Sequence, residues 1–360
     1  MKILTIVGAR PQFVKAAALS RAIGRYKELE EVIVHTGQHF DENMSEIFFQ
    51  EMDIPHPQYN LNINGLSHGA MTGQMLEGIE KIIQKEKPGM VLVYGDTNST
   101  LAGALAAKKL QIRVAHVEAG LRSFNMEMPE EVNRILTDRI SNYLFCPTAA
   151  AVKNLQKEGF GKFECTIIKT GDVMEDAAVY YTKKALSKSN ILRELGLKEN
   201  EFILGTIHRA ENTDHPDRLR DILNAFETIH RNCPVVVPMH PRTRKILSQQ
   251  GIFPSFAIID PIGYFDMIML LKNCRMVLTD SGGVQKEAYF FNKFCITLRD
   301  QTEWVELVEN GYNIIAGTNY TKIIGAMDQF SNQAFVKKNK LYGGGKAAMR
   351  IADFLAKHII

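Results

Sequence analysis

The sequence predicts an α/β protein made of two Rossmann-like halves, each a parallel sheet flanked by helices, with a cleft between them. Three observations carry this. Short runs rich in β-branched residues alternate with longer helical patterns along nearly the whole chain, as expected of parallel strands joined by crossover helices. At 360 residues the chain exceeds a typical single core and suits two domains. Polar and charged residues cluster just after the apolar runs, and ligands of open parallel sheets bind at the carboxyl ends of strands.

The elements follow in order. Strands are expected at Ile3–Val7, Glu31–His35, Val91–Tyr94, Val114–Val117 and Tyr143–Cys146, with helices at Gln12–Arg25, Thr72–Gln84 and Ser99–Leu110. Pro129 before Glu130-Glu131 marks a further helix start, because proline suits the first helical position and acids suit the positive helix end. A strand near Thr166–Thr170 leads to a helix from Glu175 to about Ser187, and the polar stretch Lys188–Glu201 reads as a surface connection between domains. The second alternation runs through strands Phe202–Ile207, Val235–Met239, Phe256–Ile259, Arg275–Thr279 and Phe294–Leu298. Its helices are expected near Pro216–Arg231, Arg242–Gln250, Phe265–Lys272 and Val284–Phe291, with a last alternation to about Phe330. Lys346–Ile360 reads as a C-terminal helix. No sequence repeat or low-complexity segment interrupts this pattern.

Composition narrows the function classes. Apolar residues make up 45% and charged residues 23%, ordinary for a soluble globular protein. A net charge of +3 without a dense Lys/Arg run gives no reason to expect nucleic acid. No apolar stretch approaches the ~20 residues of a membrane span, and the N-terminus reads as a first strand, not a signal peptide. Cys146, Cys165, Cys233, Cys274 and Cys295 are unpatterned, which points to a reducing cytoplasm and away from structural zinc.

The most informative stretch is Val91–Arg134. One strand ends in Gly95-Asp96-Thr97-Asn98, the next in Glu118-Ala119-Gly120-Leu121-Arg122, and the helix start adds Glu130 and Glu131 close to Arg134. Four acids brought to one crevice suit proton transfer rather than folding. The alternative is ordinary strand-end capping. The first turn, Gly8-Ala9-Arg10-Pro11-Gln12 with Lys15 one turn on, places cations at a helix N-terminus and would either favour an anion or present solvated surface charges. It lacks G-x-G-x-x-G, so a dinucleotide site is poorly supported. His39 could line the cleft, whereas His35 reads as packing.

In the second half, Thr279-Asp280-Ser281-Gly282-Gly283 follows a strand and opens a helix, so Ser281, Gly282 and Gly283 can present N–H groups and a hydroxyl to phosphate. Glu287, one turn later, is within reach of a ribose diol. No Walker pattern occurs, which excludes an ATPase reading. His208 and His240 both end strands with arginines close by, as diphosphate ligands or acid/base groups would. Arg299 follows the next strand. Trp304 could stack on a ligand or simply pack. None of these residues shows metal-ligand spacing, so no metal is expected.

Taken together, these motifs resemble the non-hydrolysing UDP-N-acetylglucosamine 2-epimerases of the GT-B fold. The resemblance spans essentially the whole chain in order: Gly8-Ala9-Arg10-Pro11 with Lys15, Thr36-Gly37-Gln38-His39, Tyr94-Gly95-Asp96-Thr97, His116 to Arg122, Pro129-Glu130-Glu131 with Asn133-Arg134, His208-Arg209, Thr279 to Glu287, and Arg299-Asp300 with Thr302-Glu303. It implies inversion at C2 of a UDP-2-acetamido sugar without a cofactor. A base removes the C2 proton as UDP leaves by anti elimination; the glycal turns its other face, and UDP adds back. By this resemblance Asp96, Glu118 and Glu130 are the acid/base candidates with Glu131 beside them. His208, Arg10, Ser281 and Gly282 would serve the diphosphate, and Glu287 the uridine ribose. Lys15, His39, Arg134, His240, Gly283 and Arg299 complete the expected substrate and UDP set. The resemblance also implies an N-terminal domain over residues 1–170, a UDP-binding domain over 171–345, a helix at 346–360 packing back on the first, and a homodimer.

The chain departs from the UDP-N-acetylglucosamine enzymes at Ala9 (usually Thr), Gln12 (usually Glu), Phe40-Asp41 in a region tied to allosteric activation, and Trp304-Val305-Glu306 (usually Arg-Pro-Glu). With His208-Arg209-Ala210-Glu211-Asn212-Thr213-Asp214, it looks closer to the branch acting on UDP-2,3-diacetamido-2,3-dideoxy-glucuronic acid, which supplies the mannuronic acid epimer for surface polysaccharides. Rival readings are a UDP-N-acetylglucosamine epimerase, a hydrolysing epimerase that releases free sugar, a GT-B glycosyltransferase, and a nucleotide-sugar binding module.

Overall fold

The computed structural model describes residues 1–38, 53 and 56–358. His39, Phe40 and Asp41 lie outside the described residues. The chain divides into two compact units, residues 1–177 with 340–360 and residues 178–339.

The first unit holds a seven-stranded sheet. Its strands are β1 (Lys2–Val7), β2 (Glu30–His35), β3 (Tyr59–Asn60), β4 (Met90–Tyr94), β5 (Arg113–Val117), β6 (Tyr143–Cys146) and β7 (Thr166–Lys169). They lie in the order β3-β2-β1-β4-β5-β6-β7, and all pairs are parallel. Helices α1 (Arg10–Ile23), α2 (His68–Glu86), α3 (Asn98–Lys109), α4 (Pro129–Ile140), α5 (Ala149–Lys157) and α6 (Val173–Lys188) join and follow them. The strand order reverses between β1 and β4, the point at which a parallel sheet opens a crevice beyond its carboxyl ends.

Strands β1 and β4 read as continuous apolar runs because helices cover both faces of the sheet. Helix α1 is apolar on most of its circumference, Phe13, Val14, Ala16, Ala17, Ala18 and Leu19 all being buried. A helix of that kind needs a second cover, and α15 (Ala347–His358) supplies it by packing on α1. The Phe354 ring meets Tyr143 and Phe145 at centroid distances of 5.5 and 5.7 Å. Tyr26 donates a hydrogen bond to Asp353, and buried Ile351 and Leu355 each contribute about 1.5–3 kcal/mol.

The second unit repeats the plan. Its elements are α7 (Ile191–Glu194), β8 (Ile203–Thr206), α8 (Ala210–Thr213), α9 (Pro216–His230), β9 (Val235–Pro238), α10 (Pro241–Gln249), β10 (Ala257–Ile259) and α11 (Tyr264–Asn273), then β11 (Met276–Thr279), α12 (Gly282–Phe290), β12 (Cys295–Thr297), α13 (Val305–Glu309), β13 (Asn313–Ile315) and α14 (Tyr320–Ser331). The parallel order β10-β9-β8-β11-β12-β13 reverses between β8 and β11.

Two sequence expectations differ from this picture. The passage between units falls inside α6, seven residues beyond the expected 170/171 division, because Val173, Met174 and Ala177 are buried with the first unit while the same helix runs on. Lys188–Glu201 is accordingly no connection between domains. It forms α7 within the second unit and is tied there by Ser189 to Asp266 (2.6 Å) and by the Asn200 N–H to the Asn273 carbonyl (2.7 Å). The strand β3 and helix α5 carried too few patterned residues to be read beforehand.

Burial has a pH consequence at His35, which packs edge-on against Phe13 at 5.1 Å. Removal from water disfavours the imidazolium and lowers this histidine from 6.5 to about 4. The folded state therefore binds fewer protons than the unfolded chain between these values, and stability falls as pH drops from about 6.5 to 4, by up to about 3 kcal/mol. Denaturant titrations at several pH values should show His35→Phe losing less stability over that window than the parent.

Candidate functional site

The site of the first unit begins at the β1–α1 turn. Ala9 stands at the N-cap of α1 and cannot cap it with its own side chain, so Gln12 does so from within the helix. Its Oε1 accepts from the N–H groups of Gly8 (2.8 Å) and Ala9 (3.0 Å). Its Nε2 reaches across to the Tyr94 carbonyl (2.8 Å) and the hydroxyls of Thr97 and Thr100 (2.9 Å each). The β1 and β4 loops are thereby tied together. A glutamate would have no proton to give the Tyr94 carbonyl, which is a physical reason for an amide here.

Asp96 follows β4 in a turn that begins at Gly95, whose φ is +63°. Thr97 then caps α3, exchanging hydrogen bonds with Thr100, so the Asp96 backbone is held from both sides. Asn133 adds a bond from its amide to the Asp96 carbonyl (3.0 Å). The Asp96 carboxylate pairs with Arg134, whose other branch reaches Glu131 at 3.0 Å. Glu118 follows β5 and pairs with Lys15. A pocket of about 170 Å³ opens beside these pairs, lined by Lys15, Asp96, Asn98, Gln12, Gln38, His68, Glu130 and Asn133 among others, while Glu118 and Arg134 stand behind its lining.

Glu130 and Glu131 are successive residues of α4, and successive helical residues point in different directions. Glu130 faces the pocket and makes no ion pair among the described residues. Glu131 is fully buried and turned inward, accepting from Ser123 N–H, Ser123 Oγ and Phe124 N–H (2.9 Å each) and from Arg134. It braces the loop before the helix and does not join the pocket lining. Arg10 opens α1 but is likewise absent from that lining.

The Glu118 turn is conformationally demanding. Glu118 itself has φ +75° and Gly120 φ +80°, a region that disfavours side chains. A Cβ on Gly120 would fall 2.5 Å from the Ala151 carbonyl oxygen. Gly120→Ala is expected to cost about 2–3 kcal/mol, read as a lowered midpoint in thermal or chemical unfolding.

In the second unit, His208 follows β8 and Asp280 follows β11, so the two meet at that sheet's own reversal of strand order. Asp280 has no exposed surface. It accepts from the N–H groups of His208 (3.0 Å) and Arg209 (3.0 Å) and from the Asn212 amide (3.2 Å), and it lies 3.1 Å from His208 Nδ1. Burial alone would raise this carboxyl, but the bonds from His208 and Arg209 hold it below its ordinary range. The His208 ring is half exposed.

Ser281 caps α12, its Oγ accepting from Val284 N–H at 3.5 Å. Gly282 lies against Glu303, close enough that a Cβ would approach Oε1 to 2.3 Å, and Gly283 is exposed. Arg299, almost fully buried, holds Glu303 at 3.0 Å and approaches Glu211 at 3.8 Å. Glu287 is buried one turn into α12. His240 occupies the N-cap of α10, accepting from Arg242 N–H at 3.3 Å, a structural use of a residue expected among the ligands. All five cysteines are free thiols, and among the described residues no His, Cys, Asp and Glu side chains converge as a metal-holding group. No described helix is long and apolar enough to cross a membrane.

Sequence reasoning passed over Gln12, His116, Asp138, Asp280 and Glu303 as site-building residues. Asp280 and Glu303 stand inside the Thr279–Glu287 and Arg299–Glu303 motifs. Asp138 lies in the last turn of α4, where an acid opposes the helix dipole, and that is the one local signal it carries.

The family model for UDP-N-acetylglucosamine 2-epimerase matches residues 21–356. The chain belongs to that family. It is 55% identical over 358 residues to the UDP-2,3-diacetamido-2,3-dideoxy-D-glucuronate 2-epimerase of Pseudomonas aeruginosa, covering 99% of this chain and 100% of the relative. The crystal structure of the Methanocaldococcus jannaschii UDP-GlcNAc 2-epimerase in complex with UDP-GlcNAc and UDP superposes with a TM-score of 0.89 at 45% identity, covering 99% of both chains. The Neisseria meningitidis enzyme bound to UDP-GlcNAc gives 0.90 at 30% identity, covering 99% and 100%. The expected α/β fold of the GT-B type, with two Rossmann-like domains, is shared with these enzymes. Like other members of the family, this epimerase is an isomerase acting on UDP-sugars.

Proposed function

We propose that this epimerase inverts C2 of UDP-2,3-diacetamido-2,3-dideoxy-glucuronic acid, giving the mannuronic acid epimer by anti elimination and re-addition of UDP. The observation that carries the substrate is the 55% identity, end to end, to an enzyme named for it. The departures at Ala9, Gln12 and Trp304 agree with that branch. UDP-N-acetylglucosamine is the second reading, favoured by the 45% identical Methanocaldococcus jannaschii enzyme.

The chemistry needs a base on one face of C2, an acid on the other and stabilisation of the leaving diphosphate. In this reading Asp96, Glu118 and Glu130 exchange the C2 proton. Each has a different neighbour: Arg134 for Asp96, Lys15 for Glu118 and open pocket for Glu130. Glu131 serves by holding the loop and Arg134. The N-terminus of α12 with Ser281, Gly282 and Gly283, together with His208 and Arg10, binds the diphosphate, and Glu287 the ribose. Lys15, Arg134 and Arg299 supply the remaining cations, and His39 and His240 complete the substrate set. In the same reading the protein acts as a cytoplasmic homodimer in surface polysaccharide synthesis.

Proton NMR in D₂O with each of the two UDP-sugars tests this. The expected result is deuterium at C2 and a manno-configured UDP-sugar from the diacetamido uronate. Reaction of UDP-N-acetylglucosamine alone would move the assignment to the second reading. Free sugar with UDP would indicate hydrolysis, and no exchange with either would remove the epimerase reading.

A further inference from the structure

Behind the pocket, one buried carboxylate touches the supports of both strand-end turns. Asp138 lies on α4, the helix whose first turn presents Glu130. Its Oδ1 is 2.7 Å from His116 Nδ1, and its Oδ2 accepts from Gly120 N–H at 3.0 Å and from Arg122 Nη1 at 2.7 Å. The other nitrogen of His116 lies 2.7 Å from the Gly95 carbonyl, immediately before Asp96. His116 and Asp138 have no exposed surface.

Burial would raise Asp138, but His116 and Arg122 hold it below the usual carboxylate range. Both ring nitrogens of His116 are engaged, Nδ1 with the Asp138 carboxylate and Nε2 with the Gly95 carbonyl, so the ring ties α4 to the turn before Asp96. Arg122 is gripped in turn by Glu158 through two bonds of 2.7 Å. Asp138 thus sits at the centre, with His116 on one oxygen and Arg122 and the Gly120 N–H on the other. The left-handed conformation of Glu118, a residue with a side chain, persists only where its surroundings over-determine it, and this cluster bonds the Gly120 N–H in the same turn and the Gly95 carbonyl in the neighbouring one.

We propose that His116 and Asp138 are positioning residues for the C2 chemistry, locking the Gly95–Asp96 and Glu118–Gly120 turns in one register so that Asp96 and Glu118 meet the sugar together. This rests on the epimerase reading above. Neither residue lines the pocket, so their influence passes through backbone geometry, where a displacement near 1 Å can cost about 100-fold in rate.

The test compares wild type, His116→Gln, Asp138→Asn and the double variant, using the full chain and whichever UDP-2-acetamido sugar the wild type epimerises. UDP titration calorimetry counts folded sites. The expected result is a kcat per UDP-binding site lowered about 10–100-fold, with KM and UDP affinity within about threefold and the double variant no slower than the worse single. Unchanged kcat per site, with only a lower melting temperature, would overturn the proposal. Amide hydrogen exchange of the wild type gives a measurement independent of variant folding: the Gly120 N–H, bonded to Asp138, is expected to be protected, and an unprotected Gly120 would overturn the proposal. A wild type without turnover removes the epimerase reading and this inference with it; an active wild type beside fully active variants removes the inference alone.

Discussion

Asp96→Asn is expected to lower epimerisation by at least about 1,000-fold while UDP still binds. Positioned acid/base groups contribute about 10²–10⁴-fold to proton transfer. An asparagine keeps the shape of Asp96 and can still accept a hydrogen bond from Arg134 through its carbonyl oxygen, yet it cannot take up a proton at C2. The surrounding turn is held by Gly95, the Thr97 cap and Asn133, none of which depends on the Asp96 carboxylate. The loop should therefore stay in place. Deuterium incorporation at C2 and product formation measure the loss, and calorimetry with UDP measures what is retained. Full turnover would take Asp96 out of the proton transfer. Loss of UDP binding as well would mean that the substitution had disturbed more than the chemistry.

Asp280→Ala should cost about 3–5 kcal/mol and weaken UDP binding. Three donors, the N–H groups of His208 and Arg209 and the Asn212 amide, converge on this carboxylate. Leaving a buried donor unsatisfied costs about 1–3 kcal/mol, with water making good part of the sum. The loop carrying His208 is thereby released. Because the folded state holds Asp280 below its ordinary 3.8, its contribution is fully present above about pH 4 and is lost as pH falls through the lowered folded value. Denaturant titrations from neutral pH downward should show the parent losing stability over that acid range and the variant losing less. A variant as stable as the parent at neutral pH would refute the role given to these bonds.

Asp138 and Asp280 play parallel parts. Asp280 sits where its sheet reverses its strand order and Asp138 lies behind the end of β5, and each holds the backbone of loops that carry candidate functional groups. Their legibility differed. Asp280 stands within a glycine-rich turn that drew notice for phosphate binding, though its own bonds point to the β8 loop. Asp138 occupies the last turn of a helix, where an exposed aspartate would face water. Its partner His116 lies inside a strand, indistinguishable by local pattern from a packed histidine. Glu130 and Glu131 make the same point at closer range: adjacent in sequence, they part company because a helix turns by about 100° per residue.

The sequence by itself determined the alternation of strands and helices, the repetition of that plan in two halves, the acids at strand ends and the family to which the chain belongs. These are local properties, written in hydrophobic period, turn residues and contiguous motifs. Only the tertiary structure decided which acid opens onto the pocket and which is consumed as a brace, that Gln12 rather than Ala9 caps α1, and that the chain passes between units within α6. Those outcomes depend on contacts between residues far apart in the chain, such as Gln12 with Tyr94 or His208 with Asp280. Such partners are chosen by the packing of whole elements, and that choice leaves no mark on the spacing of neighbouring residues.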